Sequence, residues 1–344
     1  MKGTLLISFI CAVILTVVGC IPMIEPEIPP TPTVITASPQ VMLTPSATVT
    51  PPQPTGTPTG AALPSPSPTA ARPVPAFSRI VIIVLENREF DLAIGNPQMP
   101  NFNGWAKDYT LLTQHYAIRH PSLPNYIAMI GGDTFGIDSN CTDCYVDAVS
   151  LPDLLEASGR SWKTYQEHMP EPCYLNDTLR YVRKHNPFIY FDPIRTDEER
   201  CRAHVVPLTE LEKDLASGEL PDFIFITPDI CNSAHDCDLQ TADAWLGKWV
   251  DWLMGNPQMA RDGLIILTWD EGQGEHTCCG LATGGGRVAT ILISPLATPG
   301  FEDITPYTHY SLLKTIAAAW DLPLLGHAAD ETNAVIEAPW RKEP

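Results

Sequence analysis

The stretch that decides the fold is Ile80-Val81-Ile82-Ile83-Val84-Leu85-Glu86-Asn87, in which six apolar residues lead directly into a carboxylate and an amide. A second stretch has the same form, Leu264-Ile265-Ile266-Leu267-Thr268-Trp269-Asp270-Glu271. Short runs rich in Ile, Val and Leu are typical of strands buried on both faces, as in a parallel sheet covered by helices. Ligands of such sheets bind beyond the carboxyl ends of the strands. The two stretches therefore predict that their four polar residues meet at one sheet edge.

Three carboxylates and an amide gathered at one place would repel one another unless a cation compensated them. All of these groups are oxygen donors, which favours Mg²⁺, Mn²⁺ or Ca²⁺ over Zn²⁺. The sequence therefore predicts one divalent metal ion held by Glu86, Asn87, Asp270 and Glu271. The alternative is that each pair is only the polar beginning of a loop after a strand.

The rest of the chain from residue 77 to residue 344 alternates between strand-like and helix-like patterns. This alternation predicts one α/β domain, in which a mostly parallel sheet is sandwiched by helices. The predicted strands are 79–85, 161–166, 222–227, 263–269 and 287–294, and the predicted helices include 123–130, 151–158, 208–216, 242–254 and 307–320.

The first twenty residues have the layout of an export signal, with Lys2, an apolar stretch over residues 5–18 and then Gly19-Cys20. Residues 17–20 also resemble a bacterial lipobox, after whose cleavage the chain begins with a lipid-carrying cysteine. We therefore expect residues 1–19 to be a lipoprotein signal peptide. We also expect Cys20 to be lipidated, which anchors the exported chain to the outer face of the cell membrane. Plain secretion, with Cys20 incidental, is the alternative.

Residues 20–76 are predicted to comprise the lipidated Cys20 and, after it, a disordered tether rich in proline and threonine. Residues 21–76 contain 16 prolines and three charged residues, so they cannot bury enough apolar surface to fold.

The formal net charge of −19 belongs to the predicted domain, because the charges before residue 77 cancel. A surplus of this sign excludes nucleic acid as an expected partner, since phosphate backbones are bound by surplus Lys and Arg.

Eight cysteines lie in the predicted domain, and an even number in an exported chain implies disulfides. We predict the pairs Cys141–Cys144, Cys173–Cys201 and Cys231–Cys237. The spacing of the first pair also suits half a zinc site or a redox motif, which the absence of a second such motif disfavours. Cys278 and Cys279 either pair with each other or pair elsewhere.

A helix is predicted to begin near Ser122, with the hydroxyl as its N-cap and with Gly131-Gly132 as its end. A serine at a helix N-terminus is also well placed for phosphate chemistry, because the free N–H groups and the dipole favour an anion. Coordination to a divalent cation would lower the pKa of this hydroxyl. Ser122 is therefore the candidate nucleophile and a fifth metal ligand; the alternative is that it only caps the helix.

The segment from Thr227 to Cys237 follows another predicted strand. A disulfide between Cys231 and Cys237 would hold His235 at the same sheet edge. A lone histidine is usually structural or merely exposed. At a catalytic edge, His235 becomes the general acid for an alkoxide leaving group, with Asp236 as its orienting partner.

These motifs together resemble the phosphoesterase family that joins bacterial acid phosphatases and non-haemolytic-type phospholipases C, within the alkaline phosphatase-like superfamily. The resemblance covers residues 78–335, and its motifs are the Glu-Asn motif at 83–91, His120-Pro-Ser-x-Pro-Asn-Tyr, the segment 227–237 and Trp269-Asp-Glu-Gly. It implies an alkaline phosphatase-like fold and supports the metal ligands named above. It also implies a covalent phosphoserine at Ser122, and His235 as the group that contacts the substrate and protonates the leaving alcohol.

The length of the chain and its 232–237 loop are more similar to the small secreted acid phosphatases, including phosphoinositide phosphatases, than to the larger phospholipases C. The resemblance thus implies hydrolysis of phosphate monoesters, with a small phosphate ester or a phospholipid headgroup as substrate. Alternatives are a phospholipase C-type diester hydrolase and a non-catalytic cell-surface binding module that keeps its metal for structure.

The remaining substrate-binding candidates flank these motifs. Arg119 and His120 are predicted to meet the phosphate. Asn125 belongs to the same set, although it can equally secure the turn that presents Ser122. Residues 272–279 depart from the aromatic, histidine-containing run of the phospholipases, and His276 is the candidate replacement for that histidine.

Overall fold

A computed structural model describes residues 72–340. The signal peptide, Cys20 and nearly all of the tether lie outside these residues and stay predictions. Val74 is fully buried in the core, and Arg72 forms an ion pair with Asp321 at 2.8 Å. The last residues assigned to the tether therefore pack on the folded domain.

One nine-stranded sheet runs through the described residues, in the order β4-β3-β5-β1-β6-β7-β2-β8, with β9 also paired with β2. The strands are β1 Ile80–Leu85, β2 Thr110–Tyr116, β3 Trp162–Gln166, β4 Val205–Pro207, β5 Phe223–Thr227, β6 Leu264–Trp269, β7 Arg287–Ile293, β8 Phe301–Asp303 and β9 Tyr307–Thr308.

Five consecutive strands of this sheet, from the edge strand β4 to β6, run in one direction. β1 pairs in parallel with β5 and β6, and β3 pairs in parallel with β5 and β4. β7 is antiparallel to both β6 and β2. The prediction of a mostly parallel sheet is thus confirmed. Leu85 lies opposite Trp269 in the β1–β6 register, so the polar residues that follow these two strands leave the sheet at the same level.

Strand β2 was not among the predicted strands. Its register against β7 shifts between Leu112 and His115, and the half-buried Thr113 and Gln114 lie at this irregularity. The local hydrophobic pattern is therefore neither a continuous apolar run nor a clean alternation, which are the two patterns that indicate a strand.

Helices cover both faces of the sheet. They are α1 Phe90–Ala93, α2 Pro100–Asp108, α3 Ser122–Gly131, α4 Leu151–Ala157, α5 Asp192–Arg195, α6 Glu198–His204, α7 Thr209–Ser217, α8 Leu239–Met254, α9 Pro257–Asp262 and α10 His309–Trp320. Short 3₁₀ helices span Arg183–His185, Pro187–Tyr190 and Gly326–Ala329. Among the described residues, no helix is both long enough and apolar enough to cross a membrane.

Two hydrophobic clusters hold the layers together. Ile80, Ile82 and Val84 of β1 face one cluster with α3 and α10, while the alternate residues face a second cluster with α2 and α8. This division follows from the pleat, because successive side chains of a strand point to opposite faces. The predicted sandwich of helices around a buried sheet is confirmed.

Helix α3, which carries Ser122, is buried along its whole length. It ends at Gly132, whose φ of 75° lies in the left-handed region. A Cβ at this position would lie 2.3 Å from the carbonyl oxygen of Leu325, so only glycine fits here. The predicted glycine end of this helix is confirmed.

The three predicted disulfides are all present, namely Cys141–Cys144, Cys173–Cys201 and Cys231–Cys237. Cys278 is bonded to Cys279, which answers the question that the sequence left open. The Cys173–Cys201 bond joins residues 28 positions apart, whereas the other bonds close loops of six residues or fewer.

We expect the double variant Cys173→Ala/Cys201→Ala to lose about 3.5 kcal/mol of unfolding free energy, because the longer loop is freed in the unfolded chain. The matched variant Cys141→Ala/Cys144→Ala should lose only about 2 kcal/mol. Urea denaturation of both proteins measures the difference. An equal loss in the two variants would contradict the loop-length argument.

Candidate active site and metal centre

The four predicted metal ligands meet at the carboxyl ends of β1 and β6. Glu86 and Asp270 are fully buried, and Glu271 is 4% exposed. The backbone N–H of Asn87 donates to Asp270 Oδ1 at 3.0 Å, and its side-chain amide donates to Glu86 Oε2 at 3.1 Å. Positions nearly two hundred residues apart in the chain thus form one polar cluster.

Ser122 points into this cluster. Its hydroxyl donates to Glu271 Oε1 at 3.1 Å and lies 3.3 Å from Glu86 Oε2. The prediction that Ser122 is the N-cap was wrong: it is the first residue of α3, and Pro121 occupies the cap position. Asn140 instead accepts the hydrogen bond from the free N–H of Leu123. The hydroxyl is therefore available to the acidic cluster.

The surrounding protein compensates only part of the negative charge of this cluster. Burial, and to a smaller extent the negative charge of the nearby Asp270, raises the pKa of Glu86 well above its usual value. Burial and the charge of Glu271 raise the pKa of Asp270 to about 7. Asp270 Oδ2 is buried and has no hydrogen-bond partner among the described residues. An unsatisfied oxygen among three buried carboxylates fits a divalent cation.

His120 contributes positive charge beside the cluster. Its Nδ1 pairs with Glu271 Oε2, and its Nε2 lies 3.0 Å from the carbonyl oxygen of Gly274. The hydrogen bond to Glu271 raises the pKa of His120 to about 9. Since both ring nitrogens face acceptors, both carry protons. His120 is thus an imidazolium that can partly offset a phosphate charge.

His185 belongs to the site, although the sequence did not indicate it. Its Nε2 lies 3.3 Å from Glu86 Oε2, and its ring stacks on Tyr126 with 5.3 Å between centroids. Burial lowers the pKa of His185 well below its usual value, so the ring is neutral. Glu86, His185 and His235 offer ligand atoms that all lie within 4.8 Å of one another, and they form a second group able to hold an ion.

Tyr126 fixes the orientation of Glu86 from the same side. Its hydroxyl donates to Glu86 Oε1. Burial and the charge of Glu86 raise the pKa of Tyr126 well above its usual value, so the hydroxyl stays a donor.

His235 lies at the rim, on the loop closed by Cys231–Cys237. Its Nδ1 lies 2.6 Å from Asp236 Oδ1, as predicted for an orienting carboxylate, and about a third of its side chain is exposed. The loop is tied to the end of β1, because Glu86 N–H donates to the carbonyl oxygen of Ser233 and the Arg88 guanidinium donates to that of Ala234.

The long loop between β6 and β7 borders the site on the other side. Glu89 accepts hydrogen bonds from the backbone N–H groups of Gln273, Gly274 and Arg287, so it joins the two ends of this loop. His276 lies on the loop, is mostly exposed and pairs with Glu89 at 3.1 Å. The predicted contact of His276 with substrate stays a prediction.

Asn125 and Arg119 lie next to each other below the site. The Asn125 amide accepts from the N–H groups of Ile118 and Arg119 and donates to the carbonyl oxygens of Arg119 and Pro121. This geometry supports the turn-securing alternative, and a substrate-binding role for Asn125 has no support. The Arg119 guanidinium forms no ion pair within residues 72–340, and its contact with phosphate stays a prediction.

Solved structures with the same fold include a member of the alkaline phosphatase superfamily. A superfamily member from Vibrio parahaemolyticus has a TM-score of 0.52 at 11% identity, covering 76% of this chain and 72% of that one. The lipoteichoic acid synthase LtaP from Listeria monocytogenes has a TM-score of 0.52 at 14% identity, covering 78% of each chain. At these identities the likeness establishes the fold alone.

Sequence relatives are more similar. An acid phosphatase of Aspergillus fumigatus is 36% identical over 267 residues, which are 73% of this chain and 56% of that protein. The phosphate-repressible acid phosphatase of Penicillium chrysogenum is 38% identical over 261 residues, covering 73% and 61%. The phosphatidylinositol-3-phosphatase of Mycobacterium tuberculosis is 30% identical over 272 residues, covering 77% and 83%.

The chain spans between 56% and 62% of the length of the fungal relatives it matches. The model of the phosphoesterase family matches residues 96–323, which is well over half of the chain. Because the family model matches more than half of the chain, and because two of these relatives are 36% and 38% identical over 73% of it, the chain belongs to the phosphoesterase family.

Proposed function

We propose that this protein hydrolyses phosphate monoesters, with a divalent metal ion and a phosphoserine intermediate at Ser122. One observation carries the proposal: the Ser122 hydroxyl lies within 3.3 Å of both Glu86 and Glu271, beside the buried Asp270. The acid phosphatase relatives support this reaction class. The mycobacterial relative, by its name, adds phosphoinositide headgroups to the candidate substrates.

The proposed ion would be held by Glu86, Asn87, Asp270, Glu271 and Ser122. A bound divalent cation polarises phosphate oxygens and lowers the pKa of a coordinated hydroxyl. These oxygen donors favour Mg²⁺, Mn²⁺ or Ca²⁺, whereas His185 and His235 beside Glu86 add nitrogen donors that would also suit Zn²⁺.

In the first step, Ser122 passes its proton to the carboxylate it contacts and attacks phosphorus. His120, held as an imidazolium by Glu271 and Gly274, partly offsets the charge of the phosphate oxygens. His235 protonates the departing alcohol from the rim, where Asp236 occupies its Nδ1 and leaves Nε2 for the leaving group. Water activated by the same histidine then hydrolyses the phosphoserine.

Export and lipid anchoring remain predictions, since their residues lie outside the described chain.

We expect the purified protein to hydrolyse p-nitrophenyl phosphate and to leave p-nitrophenyl phosphorylcholine largely intact. A diester offers the site one anionic oxygen fewer and adds a bulky group. Absorbance of released p-nitrophenol measures both reactions under the same conditions. Turnover of the diester alone would replace this proposal by phospholipase C-type chemistry, and turnover of neither would favour a binding module.

We expect Ser122→Ala to lower turnover about 10³-fold or more, because a covalent nucleophile is lost. In the native protein, a phosphoenzyme trapped by acid quench should carry its phosphoryl group on Ser122. No phosphoenzyme should form in the variant. The control is Ser294→Ala, which changes another buried serine after β7, at the opposite edge of the sheet. Near-normal turnover of Ser122→Ala would indicate attack by water instead.

We expect chelation to abolish turnover and divalent cations to raise the melting temperature of the chelated protein. An ion at 100 times its Kd adds about 2.7 kcal/mol to the unfolding free energy. Glu86→Gln and Asp270→Asn should reduce this gain, because each removes a ligand charge. Asp303→Asn, at a buried carboxylate of β8, is the matched control that should keep it. An undiminished gain in both ligand variants would place the ion elsewhere.

A further inference from the structure

A second polar network lies next to the site, where β3 and β5 end. It is formed by Glu167, His168 and Asp229, whose ligand atoms lie within 4.8 Å of one another. This spacing would suit a cation, but hydrogen bonds and ion pairs with protein groups already occupy the carboxylate oxygens. The network therefore does not offer free ligands for a cation. The hydrogen bonds of Glu167 show which parts of the molecule it joins.

Glu167 accepts hydrogen bonds from three groups at once. The backbone N–H of Asp229 donates to it at 2.9 Å, the side-chain amide of Asn232 at 2.9 and 3.0 Å, and the indole N–H of Trp245 at 3.0 Å. Two of these donors belong to the loop that carries His235, and the third belongs to helix α8. The carboxylate thus joins the loop to the helix layer.

Asp229 forms the base of the same loop. Its Oδ1 accepts from the N–H groups of Cys231 and Asn232, and its carbonyl oxygen accepts from Ser233. Its Oδ2 lies 2.6 Å from His168 Nδ1 and 2.6 Å from the guanidinium of Arg180, whose positive charge balances that of the carboxylate. The loop therefore begins on a carboxylate whose Oδ1 is hydrogen-bonded and whose Oδ2 forms an ion pair.

The loop needs these anchors because its backbone is strained directly before His235. Ala234 is fully buried and has a φ of 69°, a left-handed conformation that is unfavourable for alanine. Such a conformation persists only where the surrounding structure holds it in place. The Cys231–Cys237 bond and the contacts with β1 hold one side of the loop, and Glu167 holds the other.

We propose that Glu167 is a positioning residue for leaving-group protonation: by binding Asp229 and Asn232, it fixes the loop so that His235 reaches the ester oxygen. This inference rests on the proposed function. Glu167 makes no hydrogen bond with Ser122 or with the carboxylates of the proposed metal site within residues 72–340, so its effect on the reaction acts through His235.

The test compares two monoesters on the purified full chain with a saturating divalent cation. The phenolate of p-nitrophenyl phosphate leaves without a proton, whereas the alkoxide of glycerol 2-phosphate needs one. We expect Glu167→Ala to lower kcat/KM about tenfold or more for glycerol 2-phosphate and less than about threefold for p-nitrophenyl phosphate. Because kcat/KM extends only to the first irreversible step, slow hydrolysis of phosphoserine does not mask the difference.

Two comparisons separate positioning from loss of stability. In a His235→Ala background, Glu167→Ala should add less than about a twofold further loss, because its effect acts through that histidine. Asp243→Ala is the matched control: this buried carboxylate caps α2 through Asn101 and Phe102, away from the His235 loop. Any loss it causes should be the same for both esters. Should Glu167→Ala not fold, Glu167→Gln and Trp245→Phe weaken the same contacts more gently.

Equal losses on the two esters, or an undiminished effect without His235, would overturn the inference while leaving the proposed function intact. A native protein inactive on both esters would instead overturn the proposed function itself.

Discussion

The parallel pairing of β1 with β6 is the constraint on which the site depends. Because Leu85 lies opposite Trp269, Glu86 and Asp270 leave the sheet side by side and at the same level. Both carboxylates are fully buried, and burying neighbouring like charges is unfavourable without a compensating cation. Apolar side chains on both faces of these strands stabilise the fold, and this stability offsets the cost of burying the carboxylates.

Much of this architecture could be predicted from the sequence, because its signals are local. The apolar runs at 80–85 and 264–269 identified two central strands, and the polar residues after them identified the acidic edge. The glycine end of α3 and three disulfides followed from residue type and spacing. These features need only a few neighbouring residues to be recognised.

The features that could not be predicted depend on long-range contacts. Strand β2 is held by its pairing with β7, although its own pattern is irregular. His185 lies in a short 3₁₀ helix that follows no predicted strand, and only tertiary packing brings it to Glu86. Ser122 was assigned to the cap because cap and first-turn serines look alike in sequence, whereas the direction of its hydroxyl is set by Glu271.

The antiparallel direction of β7 has a consequence for how such proteins diversify. Since β6 and β7 form a hairpin, the loop between them emerges at the edge that carries the proposed active site and returns to it, and Glu89 binds both ends of the loop. Insertions in surface loops cost little stability when the strands that flank them stay paired. Insertions or substitutions in residues 275–284, which lie beyond the contacts of Glu89, can therefore alter which molecules enter without moving the carboxylates of the proposed metal site.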